Sequence, residues 1–305
     1  FDDFEYVVGR NDSSAEARFQ QYGRWNAAKT EQSNYTGANG YLYTASSIPG
    51  YSGSLPGSAS TRVLVMEALP NTQGGQTDFY LQYGNGDVAG NTYIDAVPGN
   101  VWFQFWVYVN HTSGQMSWFD GGKFIYPCNG GGYGCHTHKW MITLSENSAE
   151  PFWQTLGTPS DGSAFMNNIA NTIYPSTSDP ITTITNTRAA VGNEWKLGHT
   201  NTSERFTANR WTLVKIHLDT SSQSGRYEAW MRPLGGSWTK TAEWIDGVTT
   251  GFTWRIKASE VGGHRVFRMP STLGNFNGSQ SYDTWFYMDD FAMARSEAGL
   301  PVYQR

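Results

Sequence analysis

Lys215 and His217 are the residues of this chain best placed for proton chemistry. They stand two apart in the run Arg210-Trp211-Thr212-Leu213-Val214-Lys215-Ile216-His217-Leu218-Asp219. Successive residues of a strand point to opposite faces, so Val214, Ile216 and Leu218 face one way and Trp211, Lys215 and His217 the other. A second group comprises Lys123 and Tyr126, followed by His136-Thr137-His138-Lys139-Trp140. These residue types suit removal of a proton next to a carboxylate. That reaction needs a cation to neutralise the carboxylate, a base for the proton and an acid for the leaving oxygen. Lys123, Tyr126, His138, Lys215 and His217 are the candidates for those roles. Arg62, His136, Lys139 and the aromatic Trp102, Trp106, Trp140 and Trp211 are candidates for holding the substrate, because an indole offers a flat apolar surface to a sugar ring.

Other chemistries fit less well. His136 and His138 would point the same way on a strand, as two metal ligands do, but no third ligand is evident and no metal site is assigned. Asp289-Asp290 invites a paired-carboxylate reading for glycoside hydrolysis. Adjacent strand residues face opposite sides, so one of the two is expected to bond loop backbone or a structural Ca²⁺. Glu67 and Glu228 are isolated strand acids, and no Glu-x-Asp-x-x-Glu pattern of retaining glycosidases is present. Glycoside hydrolase is therefore the minor alternative.

The elements that must position these residues are strands. Alternating runs recur at 40–44, 61–69, 77–83, 101–109, 123–126, 139–144, 210–219, 225–231 and 285–293, broken by Gly, Pro, Asn and Ser clusters. No long stretch has the helical period and no repeat is evident, which argues against a propeller. The expected fold is all-β: a two-sheet antiparallel sandwich of the concanavalin-A-like jelly-roll kind, in one domain over 1–305. The polar segment at about 145–193 is expected to be a long loop insertion over one face. The Lys123, His136–Lys139 and Trp211–His217 runs are expected to share one groove on one concave sheet.

Composition agrees with that architecture. Aromatic and charged residues each make up 15% of the chain, with 34 Gly and 13 Trp among 305 residues, a balance that suits sheets and loops rather than a helical bundle. Most of the tryptophans are expected in the core, Trp230 among them, together with Phe291. A net charge of −5 does not favour nucleic acid. No apolar run is long enough to span a membrane as a helix. Cys128 and Cys135 flank a glycine-rich spacer that folds back easily, so a disulfide is expected. The opening Phe1-Asp2-Asp3-Phe4 reads as a mature start, and a secreted or extracellular protein is expected.

Taken together, the run Trp211 to Asp219, the strand Gly225 to Trp230, Gly262-Gly263 and the closing Trp285 to Phe291 resemble the second half of jelly-roll polysaccharide lyases. The nearest in pattern is the alginate and glucuronan lyase group called polysaccharide lyase family 14. Gly121-Gly122-Lys123-Phe124-Ile125-Tyr126-Pro127 is similar to its Gly-Gly-Lys-Leu-Pro segment, whose lysine is functional. The resemblance covers roughly 100–295. Where that family has a Ser-x-Arg and then a Tyr-x-Tyr strand, this chain reads His136-Thr137-His138-Lys139-Trp140, and no Tyr-x-Tyr follows. The resemblance implies an endo-acting lyase that cleaves a uronate-containing polysaccharide by β-elimination, without a required cofactor. The alternative from another class is a non-catalytic carbohydrate-binding or adhesive jelly roll, such as a surface or virion protein.

Overall fold

The structure is a computed structural model. It describes residues 14, 17–18, 27–29, 38–44, 55–56, 61–68, 80–83, 98–109, 122–128, 140–147, 150–157, 188–191, 194–198, 210–219, 221–222, 226–245, 266–269 and 284–303. His136, His138, Lys139 and Cys135 lie outside this set, so the expectations that rest on them, including the disulfide, do too.

The chain folds as the expected all-β antiparallel sandwich of two sheets. One sheet has the order β1 (Ala27–Lys29), β4 (Tyr80–Tyr83), β14 (Val266–Met269), β6 (Gly122–Cys128), β7 (Trp140–Asn147), β8 (Glu150–Gly157), β10 (Glu194–Gly198), β9 (Arg188–Val191). The other has the order β13 (Thr239–Ile245), β12 (Arg226–Pro233), β11 (Thr212–Asp219), β5 (Asn100–Val109), β15 (Thr284–Ala294), β3 (Arg62–Ala68), β2 (Ala38–Thr44). The segment expected to be a loop insertion instead contributes β8 and β9, with the end of β7, to the eight-stranded sheet. Its Ser, Thr and Pro content suggests loop. However, antiparallel pairing of β8 with β7 and β10 satisfies the backbone whatever the side chains are.

The seven-stranded sheet has two unlike faces. Leu64, Val101, Phe103, Phe105, Val107, Val214, Ile216, Leu218, Ala229, Met231, Met288 and Phe291 are all buried and alternate onto one face. This is the face a sandwich turns towards its second sheet, and each large apolar side chain buried there contributes about 1.5–3 kcal/mol. Phe291 stacks on Phe103 with ring centroids 6.3 Å apart, and is the core residue it was expected to be.

The opposite, outer face is divided. Towards one end, Val63, Val65, Trp106, Tyr108, Trp211, Leu213 and Tyr287 cluster with Leu55, and Leu234 and Tyr303 pack on them. The segment after β15 runs across this face. A short 3-10 turn, Glu297–Gly299, leads into buried Leu300, and Tyr303 meets Trp106 edge-on with centroids 5.7 Å apart. Gln104 Nε2 donates to the carbonyl of Pro301 at 2.8 Å, and Arg232 Nη2 to that of Tyr303 at 2.9 Å. Towards the other end the same face carries the polar groups described below.

Local irregularities shape this sheet. A bulge interrupts the pairing of β15 with β5 between Asp289 and Ala292, where Asp290 takes φ 49°. Between β12 and β13, Gly235 at φ 76° lets the chain close a tight turn, with the Gly236 N–H donating to Pro233 O at 2.7 Å. That turn presents Trp238 at the surface.

Candidate functional site

β11 pairs with β5 on one side and β12 on the other in continuous register, which places His217 between Trp102 and Glu228 and Lys215 between Gln104 and Trp230. The expected alternation is observed: Lys215, His217 and Trp211 share the face opposite Val214, Ile216 and Leu218.

His217 is only 6% exposed, and both ring nitrogens are engaged. Nδ1 lies 3.2 Å from Glu228 Oε2 and Nε2 lies 3.1 Å from Asn100 Oδ1. Asn100 is oriented by donating Nδ2 to Asp219 Oδ2 at 3.0 Å, while Asp219 Oδ1 accepts from the backbone and hydroxyl of Ser221. One ring face is closed by Trp102, whose centroid is 4.1 Å away at an interplanar angle of 7°. Burial disfavours the imidazolium and holds His217 below its usual pKa of 6.5. The hydrogen bond to Glu228 works in the other direction, and the nearby Arg226 adds to the lowering.

Glu228 is the centre of this network. Burial alone would raise its pKa, but hydrogen bonds from Lys240, Arg226 and His217 prevail and hold it at about 2. Lys240 Nζ donates to Oε1 at 2.7 Å, and Arg226 Nε donates to Oε2. The carboxylate is therefore ionised at every ordinary pH and fully occupied. Lys215 pairs with Glu297, and its ammonium lies 4.7 Å from the Trp230 ring centroid and 4.8 Å from that of Trp238. An imidazole bonded at both nitrogens and covered by an indole has no open edge for a substrate proton. This constellation ties β5, β11, β12 and β13 together; it is not arranged as an acid–base pair.

The candidates do not form one groove. Lys123 and Tyr126 lie on β6 and Trp140 on β7, in the eight-stranded sheet, with Lys123 in register with Thr143 and Tyr126 with Arg268. Lys215, His217, Trp102, Trp106, Trp211 and Arg62 lie in the seven-stranded sheet. The expectation of a shared floor is overturned, because strand alternation assigns a face but not a sheet. Trp106 and Trp211 are 0% and 1% exposed and belong to the packed cluster, so neither can stack on a sugar. Arg62 alternates with Val63 and Val65, away from that cluster. Trp230, expected in the core, is half-buried on the polar face, stacked on Trp102 at 5.6 Å beneath Lys215 and Lys240.

Both carboxylates of Asp289-Asp290 are buried, and Asp289 Oδ1 accepts the backbone N–H of Asp290 at 2.9 Å. Bonding to backbone is one of the two uses expected for the pair. The Tyr303 hydroxyl beside them has its pKa raised, by burial first and then by the charges of Asp290 and Asp289. Among the described residues no group of three His, Cys, Asp or Glu gathers to hold a metal ion.

Nothing in the sequence singles out Asn100, Lys240 or Trp238, and it marks Glu228 only as an isolated strand acid. Glu228 was recoverable: an antiparallel hairpin closing between Asp219 and Arg226 puts it opposite His217. Asn100 and Lys240 come from strands whose pairing partners no local pattern specifies.

No family model matches the chain, and no curated protein matches it. Among solved structures it is similar to the PL-14 alginate lyase from Aplysia kurodai, at 14% identity over 95% of this chain and 99% of that one, with a TM-score of 0.50. A glycoside hydrolase family 131 catalytic domain from Coprinopsis cinerea aligns at 12% identity over 98% of this chain and 97% of its own, with a TM-score of 0.37. A botulinum neurotoxin type G receptor-binding domain aligns at 8% identity over 87% of this chain and 44% of its own, also at 0.37. At 14% identity the likeness to the first of these concerns fold, and the fold it supports is the jelly-roll sandwich.

Proposed function

We propose that this protein acts on polysaccharide as an endo-type lyase that cleaves a uronate-containing polymer by β-elimination, with Lys123 at its centre. The observation that carries the reading is the position of Lys123 on β6, inside the eight-stranded sheet between β14 and β7. The fold it sits in is similar to that of a PL-14 alginate lyase over almost the whole of both chains. In the proposed reaction, the carbon bearing the carboxylate loses its proton to a base. The adjacent carbon–oxygen bond to the next sugar breaks, the leaving oxygen takes up a proton, and a carbon–carbon double bond remains in the uronate. The lysine ammonium neutralises the carboxylate as negative charge develops beside it. Tyr126 on the same strand, with His138 beyond it, is the proposed source of acid or base. Lys215 and His217 take no part, being engaged in the other sheet. The chemistry requires no cofactor, and an extracellular setting would bring the protein to such polymers.

The second reading is a carbohydrate-binding jelly roll without catalysis. It draws on the aromatic and cationic groups of the seven-stranded sheet, where Trp230 and Trp238 lie among Lys215, Arg232 and Lys240. Incubation with alginate, polygalacturonate and polyglucuronate separates the two. Lyase action releases unsaturated uronates that absorb in the ultraviolet. Retention on one of these polymers without any ultraviolet product would leave only the binding reading.

A further inference from the structure

The outer face of the seven-stranded sheet carries a group that the proposed chemistry does not use. Trp238, in the segment after the β12–β13 turn, is a large aromatic at the surface, 37% exposed. Lys215 Nζ lies 4.8 Å and the Arg232 guanidinium carbon 5.2 Å from its ring centroid. Lys240 Nζ stands 5.2 Å from the ring centroid of the neighbouring Trp230 and is 38% exposed. Two acids reach these cations. Glu297 pairs with Lys215, while Glu228 is shared between Lys240 and Arg226. Lys215, Arg226, Arg232 and Lys240 thus gather on one face of a chain whose net charge is −5.

We propose that this Trp238-centred patch is a second, non-catalytic binding surface for an acidic polysaccharide, on the sheet opposite Lys123. The inference rests on the polysaccharide reading above. An exposed indole takes the CH face of a pyranose ring by apolar contact, and the cations round it attract the carboxylate of the same or the next residue. A neutral glucan would have the stacking without the charge, and a small anion the charge without the stacking. The fit is therefore to a uronate polymer, of which the eight-stranded sheet would hold one stretch and this face another. Two sites on one chain raise effective affinity for a long polymer without altering the chemistry at either.

Affinity electrophoresis tests this in gels containing alginate, polygalacturonate or polyglucuronate, with a neutral β-glucan gel as control. The wild-type chain is compared with Trp238→Ala, Trp238→Phe and Lys123→Ala, and each variant's thermal melt verifies folding. The expected result is that at least one polyuronate retards wild type and still retards Lys123→Ala. Trp238→Ala should then need at least fivefold more polymer for half-retention, Trp238→Phe should recover most of it, and the neutral gel should retard none. Unchanged retention of folded Trp238→Ala overturns the surface and leaves the proposed cleavage standing. Complete loss of retention in Lys123→Ala, or equal retardation by the neutral glucan, does the same. Ultraviolet product without retention of wild type also overturns the surface alone. Neither product nor retention with any polyuronate overturns the polysaccharide reading, and the surface falls with it.

Discussion

Lys123 and Lys215 look alike in the sequence. Each is a lysine on a short strand near aromatic residues, and each is close to a group that can move a proton. The fold sends them to different sheets and surrounds the second of them with indole rings and a carboxylate. Lys215 is held against indole rings and paired with Glu297, next to a buried histidine–carboxylate network that joins four strands. Lys123 lies on a strand flanked by β14 and β7, apart from that network. Residues with equal chemical promise thus divide between two sheets, and in the seven-stranded one Lys215 and His217 are committed to contacts with their neighbours. The commitment follows from the antiparallel pairing of β5, β11, β12 and β13, which puts complementary polar groups opposite one another.

The largest effect should come from the committed sheet. Trp106→Ala removes a fully buried indole from the cluster under Tyr303 and should cost about 3–5 kcal/mol of stability. Chemical denaturation measures it, and specific activity per folded molecule should hold. A loss of turnover in the folded fraction would mean that this face serves the reaction after all.

On the other sheet the pattern should reverse. Lys123→Ala should lower turnover by about two to three decades while leaving the melting temperature near that of wild type. Initial rates of ultraviolet absorbance on the best polyuronate give the first quantity, and calorimetry the second. Full activity in this variant would break the contrast between the two lysines and the lyase reading together.

Glu228→Gln tests the network itself. It leaves Arg226, Lys240 and His217 facing a neutral amide. Removing one member of a buried pair typically costs about 3–5 kcal/mol, but the two cations among these three partners are substantially solvated, so a cost of about 2 kcal/mol is expected.

The smallest effect is a dependence on acidity. His217 has its pKa held below 6.5 in the folded chain, so as pH falls below 6.5 the unfolded chain takes up a proton first and stability declines. Glu228 has its pKa lowered from 4.5 to about 2, so a further, steeper decline follows as pH drops from 4.5 towards 2. Melting temperature against pH should show both limbs in wild type, only the lower in His217→Gln and only the upper in Glu228→Gln. An identical profile in all three would mean that the pair is not coupled to folding.

The sequence by itself determined the strands and their faces. Alternation at Val214, Lys215, Ile216, His217 and Leu218 is a local consequence of the pleat, so it could be read without knowing any neighbour. Composition likewise pointed to a sandwich, since aromatic and β-branched runs without helical period leave little else. Which sheet a strand joins, and what crosses its outer face, depends on pairing between residues far apart in the chain. Asn100 meets Asp219 and Gln104 meets Pro301 through such pairings. No local pattern marks Trp106 as covered by the C-terminal segment, because the side chain that covers it comes from Tyr303. The polar segment around 150–157 looks like loop in the sequence for the same reason. Its backbone hydrogen bonds belong to β7 and β10, and only the assembled sheet supplies them.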